Sequence, residues 1–338
     1  MRDARPRVSV LLPVRDGAPY LPDAIASLEA QTFADFEVVV VDDGSSDETP
    51  ELLAAWAARD GRVRLFRQGP QGIAAALERA RTEARASLLA RMDADDVALP
   101  RRLEAQVGRL AGERRLVSVG CGVRYFPDAA VRGGARRYEA WLNALTTHEA
   151  ISRDIFVECP LAHPTLVMRA DAVAEAGGYR DAGWPEDYDL LLRLWERGGR
   201  FASVGERLYR WREREGRLSR VDARYAPEAF RRCKVHYLRR TLLRGGRASA
   251  IWGAGPVGKA FSRALRSAGA PVAAFVEVDP RKIGQEIHGA PVLDVAGGLA
   301  LEGVLHLAAV GQPGGREEVR RVLREAGLVE GADFVAVA

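Results

Sequence analysis

The chain has 338 residues, 47% of them hydrophobic and 28% charged, with a formal net charge of +4 and a pI near 9.1, a balance that suits two or three soluble globular domains. No apolar run reaches the ~18 residues of a membrane span, the polar start at residues 1–7 does not read as a signal peptide, and Cys121, Cys159 and Cys233 are too few and scattered for a disulfide frame or a zinc site, so a reducing cytoplasm is expected. Apart from Lys234, Lys259 and Lys282 every basic side chain is Arg or His, and they are spread rather than massed, which argues against nucleic-acid binding while suiting phosphate recognition.

Val8-Ser9-Val10-Leu11-Leu12-Pro13-Val14 reads as a buried parallel strand. A turn over residues 15–20 leads to a helix over 21–31, with Leu21, Ala24, Ile25 and Leu28 at helical spacing. Residues 36–41 form a second strand that runs into Asp42-Asp43-Gly44, and Ser46 or Asp47 can cap the helix through Leu52 and Trp56. A third strand covers 63–66 and a third helix 72–84. A fourth strand, 87–92, delivers Asp93-Ala94-Asp95-Asp96. Strands alternating with helices at this spacing predict an α/β fold with a mostly parallel sheet and helices on both faces.

In such sheets ligands bind beyond the carboxyl ends of the strands. Two strands here end in acids, and if they are neighbours both groups face one crevice. Carboxylates placed there cost folding energy unless donors or a cation answer them. A hard divalent ion bridging to a substrate diphosphate is one such answer. Asp43 can then accept from a base N–H, Asp93 can take a ribose hydroxyl, and Asp95 can take the metal. The alternative is a capping cluster for the helix after Pro100. Pro13-Val14-Arg15-Asp16-Gly17 stands where a dinucleotide fold carries its glycine fingerprint, which argues against a dehydrogenase in this domain. The missing glycine-rich phosphate loop also argues against a sugar-nucleotide pyrophosphorylase.

The run Val8 to Pro13, Gln31-Thr32-Phe33, Val41-Asp42-Asp43-Gly44-Ser45-Ser46-Asp47, and Met92-Asp93-Ala94-Asp95-Asp96 before Pro100-Arg101-Arg102-Leu103 together resemble family 2 glycosyltransferases over about residues 5–220. The resemblance implies a GT-A type fold, a nucleotide-sugar donor, Mg²⁺ or Mn²⁺, and inversion at the anomeric centre. By resemblance Asp43 is the base-contacting acid, Asp93 and Asp95 are the Asp-x-Asp pair with Asp95 the metal ligand, and Pro13 and Arg15 lie along the donor. Uracil and thymine share the same N3–H, so UDP- and dTDP-sugars both remain open. The implied acceptor is a hydroxyl of a sugar, a glycan or a lipid-linked glycan, in polysaccharide or glycan assembly.

The middle of the chain offers a strand over 117–123 and a helix over 136–145. Next come Cys159-Pro160-Leu161-Ala162-His163-Pro164-Thr165 and Trp184-Pro185-Glu186-Asp187-Tyr188-Asp189, which open a helix over 186–196. Acids in a first helical turn suit the helix dipole, and an ionised carboxylate is what a general base requires. The stretch resembles the family's Glu-Asp motif, which makes Asp187 the base and Glu186 a positioning acid. His163 and Trp184 fall on the acceptor side, although a lone histidine is as readily a packed residue. Leu208-Tyr209-Arg210-Trp211-Arg212 onward resembles the flexible segment after the catalytic helix. The family often has histidine where Arg214 stands, so a third protein ligand to the metal is in doubt, and Arg212 or Arg214 can instead grip the diphosphate.

Residues 1–225 are therefore expected to form the transferase domain, and 226–246 a basic helix and linker. The stripe Phe230, Val235, Leu238 and Leu242 beside arginines suits either packing or an anionic membrane face holding a lipid-linked acceptor. Residues 247–338 show a strand, Gly253-Ala254-Gly255-Pro256-Val257-Gly258, a helix, a second strand over 272–278, and Glu277 and Asp279 at its end. They resemble the Rossmann-like N-terminal domains of sugar acyltransferases. A nucleotide or NAD(P) is the implied ligand, with Gly253, Gly255 and Gly258 at the phosphate and Glu277 or Asp279 at the ribose; regulation or a homodimer interface are further roles. A non-catalytic nucleotide-sugar sensor and an oxidoreductase run by this module are the rival functions.

Overall fold

A computed structural model describes residues 5–338. The chain divides into two compact units, residues 1–151 with 161–221, and residues 152–160 with 222–338.

The first unit holds strands β1 (Val8–Val14), β2 (Phe36–Asp43), β3 (Val63–Gln68), β4 (Leu88–Arg91), β5 (Val97–Ala98), β6 (Leu116–Phe126), β7 (Val167–Arg169) and β8 (Arg200–Arg212). Its helices include α1 (Leu21–Glu29), α2 (Thr49–Arg59), α3 (Ile73–Glu83), α4 (Arg102–Gly112), α5 (Gly133–Ala144), α6 (His148–Arg153), α7 (Ala170–Glu175), α8 (Glu186–Glu196) and α9 (Leu218–Val221). The strands form one sheet in the order β3-β2-β1-β4-β7-β6-β8-β5. β1 is parallel to both β2 and β4, and β7 is antiparallel to β4 and β6. Every residue of β1 and β2 is buried, as expected for strands covered on both faces. Leu12, Val40, Leu53 and Trp56, each fully buried, pack in the core on one side.

The condition that β2 and β4 be neighbours is not met, because β1 lies between them. The registers Val14↔Asp42 and Leu11↔Arg91 still bring both acidic ends out at the same edge of the sheet. Pro13 lies beyond the last β1–β4 pair, so its missing N–H breaks no rung there. Ser46 does not cap α2; its N–H goes to Asp16, while Asp47 accepts from Thr49 N–H at 3.0 Å and Ala18 N–H at 3.1 Å. The segment expected to be flexible from Leu208 is instead strand as far as Arg212. Val123↔Tyr209 and Phe126↔Arg212 are rungs on β6, and Trp211 stacks on Tyr125 with centroids 5.0 Å apart.

The second unit contains α10 (Pro227–Arg240), β9 (Ser249–Trp252), α11 (Pro256–Ser267), β10 (Val272–Val276), β11 (Glu286–Ile287), β12 (Ala290–Leu293), α12 (Val295–Leu299), β13 (Leu305–Ala308), α13 (Gly315–Glu325) and β14 (Phe334–Ala336). The sheet order is β11-β12-β10-β9-β13-β14. β12, β10, β9, β13 and β14 are all parallel. The first strand is central and the chain winds outward on either side of it, the doubly wound arrangement.

The basic helix is α10, and it belongs to this unit rather than to a linker. Of the expected stripe, Val235 and Leu238 are no more than 2% exposed, while Phe230 and Leu242 are half-buried. The two buried members are committed to packing within the unit. Lys234 is drawn in as well, donating to the carbonyls of Val157 at 2.6 Å and Val337 at 3.1 Å. Residues 152–160 are held here by Asp154, which accepts from the buried Arg320 at 2.5 Å; the same guanidinium reaches Glu330 at 2.7 Å. Removing Arg320 takes away the counter-charge that Asp154 and Glu330 share, leaving Asp154 with Arg153 at 3.0 Å and Glu330 with Arg324 at 2.5 Å. Arg320→Ala should therefore cost about 1–3 kcal/mol, read as a lowered urea midpoint for the full chain.

Candidate functional site

The acid turn is built by the end of β4. Arg91 is only 2% exposed, and its guanidinium donates to the Met92 carbonyl and, at 2.5 Å, to Asp93. Asp96 is buried and accepts from the Tyr209 hydroxyl at 2.9 Å and from Arg212 N–H at 2.7 Å. Burial first, then the charges of Asp95 and Asp93, push its carboxyl well above the usual range. The three side chains Asp93, Asp95 and Asp96 each offer an oxygen, all within 4.8 Å of one another. Hard oxygen donors in that number fit Mg²⁺ or Mn²⁺. The capping alternative fails, since Arg101 occupies the N-cap of α4 and no side chain caps it.

Two arginines beyond the turn face these acids. Arg214 Nε lies 2.8 Å from Asp95 Oδ2. Arg212 donates to the Asp95 carbonyl and to Asp23, both at 2.6 Å. Both guanidinium groups sit over the Tyr20 ring, at 5.0 and 5.2 Å.

Asp43, at the matching end of β2, is 4% exposed and already engaged. It accepts from Gln68 Nε2 at 2.7 Å, Gln71 N–H at 2.9 Å and Gly72 N–H at 2.8 Å. Its first task is to hold the loop before α3, a role its sequence position did not disclose. Pro13 is buried, whereas the Arg15 side chain is 53% exposed and lies 3.8 Å from Asp16, so no contact ties Arg15 to the acid turn.

The other predicted half centres on α8 and the turn before it. Glu186 is buried and Asp187 half-buried, both in the first turn. Asp187 Oδ1 accepts from Tyr188 N–H at 2.6 Å. His163 is buried, its Nε2 3.0 Å from the Tyr179 hydroxyl. Burial and then the positive charge of Arg91 hold its pKa well below the usual value. Tyr179 is pushed up by burial and feels Arg91, Glu186 and Asp187 together.

Asp189 was not anticipated. Fully buried, it accepts from Arg180 Nε at 2.9 Å, Arg193 Nε at 2.8 Å and Trp184 Nε1 at 2.9 Å. Arg193 continues to the Gly178 carbonyl at 2.7 Å. One carboxylate thus fixes both Trp184 and the turn carrying Tyr179. The spacing of Asp189 and Arg193, four residues apart on a helix, was the available signal. Gly178 has φ +64°, and a Cβ there would lie 2.3 Å from Glu78 Oε2, so only glycine fits the turn.

In the second unit the glycine turn links β9 to α11. Gly253 has φ +108°, and a Cβ on Gly258 would fall 1.9 Å from the Gly253 carbonyl, while the space at Gly255 is open. Glu277 accepts from Ala254 N–H at 3.1 Å and from Lys282 at 2.9 Å. Asp279 instead pairs with the exposed Arg281 at 2.9 Å, which lowers its pKa to about 2.

Comparison with known proteins decides the family. The glycosyl transferase family 2 profile matches residues 9–177. The putative glycosyltransferase EpsE of Bacillus subtilis is 31% identical over 226 residues, spanning 65% of this chain and 78% of that protein. The chain belongs to glycosyl transferase family 2. The O-antigen biosynthesis glycosyltransferase WbnJ of Escherichia coli is 31% identical over 188 residues, 55% of this chain and 71% of its own.

Two solved structures share the GT-A type fold. S. aureus TarS 1–349 in complex with UDP-GlcNAc superposes with TM-score 0.57 at 17% identity, over 69% of this chain and 66% of that one. The mannosyltransferase PcManGT of Pyrobaculum calidifontis, with GDP-Man and Mn²⁺, gives TM-score 0.52 at 22% identity, over 70% and 63%. The chain thus spans just under two thirds of either solved chain, and at these identities the likeness speaks for fold alone.

The depressed His163 has a consequence for stability. Its folded pKa lies below the ordinary 6.5, so the unfolded chain takes up that proton first. Stability is full above about pH 6.5 and falls as pH drops below it, by up to about 1.4 kcal/mol per pH unit for one proton. His163→Gln should flatten part of that slope in urea melts between pH 6.5 and 5.5.

Proposed function

We propose that the first unit is an inverting, metal-dependent glycosyltransferase of polysaccharide or glycan assembly, acting on a UDP- or dTDP-sugar. The observation that carries this reading is the oxygen-rich acid turn Asp93-Ala94-Asp95-Asp96 at the end of β4 in a chain of glycosyl transferase family 2, with Glu186 and Asp187 opening α8. Asp187 takes the acceptor proton while the acceptor oxygen attacks the anomeric carbon from the face opposite the diphosphate. Glu186 positions that end of α8, and His163 and Trp184 border the acceptor. The neutral His163, bonded to Tyr179, serves as a fixed hydrogen-bonding wall rather than a proton carrier.

On the donor side, Asp95 is the principal metal ligand, with Asp93 and Asp96 within reach of the same ion. A divalent cation bound there supplies charge neutralisation for the departing diphosphate. Arg212 and Arg214 add guanidinium donors for the same oxygens. Asp93 Oδ1 is committed to Arg91, which leaves Oδ2 for a ribose hydroxyl or the ion. Asp43 Oδ2 holds one N–H and keeps acceptor capacity for a base N–H. Pro13 and Arg15 complete the donor wall.

For the second unit we propose nucleotide binding, NAD(P) included, at Gly253, Gly255 and Gly258. Glu277 is better placed than Asp279 for a ribose, because it already touches the glycine turn while Asp279 is tied to Arg281.

Asp187→Asn should lower sugar transfer by about 10²–10⁴-fold while UDP-sugar binding, measured by calorimetry with Mn²⁺, is retained. Near wild-type turnover by that variant would remove Asp187 from the role of base. NAD⁺ titrated into the full chain should give binding heat that Gly255→Val abolishes; heat unchanged by the substitution would place the ligand elsewhere.

A further inference from the structure

The three acids of the turn are answered in different ways. Asp93 is held by Arg91, which is 2% exposed and also donates to the Met92 carbonyl. Asp96 is held by Tyr209 and by the backbone N–H of Arg212, both fixed in β8. Neither partner can leave without unmaking the sheet edge. Asp95 is different. Its partner Arg214 lies two residues past the end of β8, and the two side chains are 32% and 20% exposed. The contact is a single Nε–Oδ2 bond of 2.8 Å, with the guanidinium resting over Tyr20.

We propose that Arg214 is a resident counter-ion on Asp95 that a divalent cation must displace, so that metal and diphosphate bind as one coupled event. This rests on the reading of Asp95 as the metal ligand. A guanidinium and a divalent cation compete for the same carboxylate, since like charges a few ångströms apart repel. Once displaced, the planar fork of Arg214 matches phosphate oxygens and can donate to them in pairs. Arg212 is not the exchanging group: its guanidinium is on the Asp95 carbonyl and Asp23, and leaves the Asp95 carboxylate to Arg214. Metal alone then binds weakly, because it must evict a cation that has nowhere better to go. Metal with a diphosphate binds tightly, because the evicted cation gains a new partner. Linkage is reciprocal, so the metal raises diphosphate affinity by the same factor.

The test is Mn²⁺ affinity of the full chain, from the electron paramagnetic resonance signal of free Mn²⁺, with and without UDP. Wild type is compared with Arg214→Ala, Arg214→Lys and Asp95→Asn, with circular dichroism checking each fold. Without UDP, Arg214→Ala should bind Mn²⁺ at least tenfold more tightly than wild type, and UDP should add far less to its affinity than it adds to wild type. Arg214→Lys, which keeps the charge, should stay near wild type. Mn²⁺ binding that is equal or weaker in Arg214→Ala without UDP overturns the exchange while leaving the metal site standing. Binding absent from every chain, or unchanged by Asp95→Asn, overturns the metal reading of Asp95 and the exchange with it.

Discussion

Everything at the acid turn follows from a problem of charge. One short turn carries three carboxylates whose oxygens lie within 4.8 Å of one another, and such a group folds only if each member is answered. The fold answers Asp93 with a buried arginine and Asp96 with a tyrosine and a backbone N–H from β8. Those bonds fasten the end of β4 to β8, on the far side of β7 and β6 in the sheet. The charge that makes the turn useful is thus also what brings Arg212 and Arg214 to it.

A second buried carboxylate plays the matching part beside α8. Asp189 gathers Arg180, Arg193 and Trp184, and through Arg193 it fixes the turn that presents Tyr179. Tyr179 in turn bonds His163 at 3.0 Å. Asp96 and Asp189 both carry structural bonds inward from the surface acids. Each holds neighbouring acids and aromatic groups in place.

Much of this was legible before the structure. Continuous apolar runs marked β1, β2 and β4, and the four-residue spacing of Leu190 and Leu194 with the acids before them placed α8 at its observed bounds. Membership of family 2, and the GT-A type fold, followed from motifs that are local in sequence. What stayed hidden was non-local. The insertion of β1 between β2 and β4 depends on which strands pair, and nothing in one strand names its neighbour. Asp43, Asp96 and Asp189 are ordinary acids by type; only side-chain direction shows that they are buried and bonded. The extension of β8 through Arg212 was missed because its arginines read as a solvated loop, whereas Trp211 stacks on Tyr125 and the rungs to β6 persist. Residues 152–160 belong to the second unit through Asp154 and Arg320, partners 166 positions apart.

The central claim is that acids distant along the chain face one cation and one nucleotide-sugar. A crystal of the full chain soaked with Mn²⁺ and UDP, measured at the manganese absorption edge, tests it directly. The account predicts an anomalous peak within about 2.5 Å of an Asp95 carboxylate oxygen, with the diphosphate on the same ion and the Asp187 carboxylate opening onto the same cleft. A peak away from Asp95, or an Asp187 that faces a different surface from the diphosphate, would contradict it.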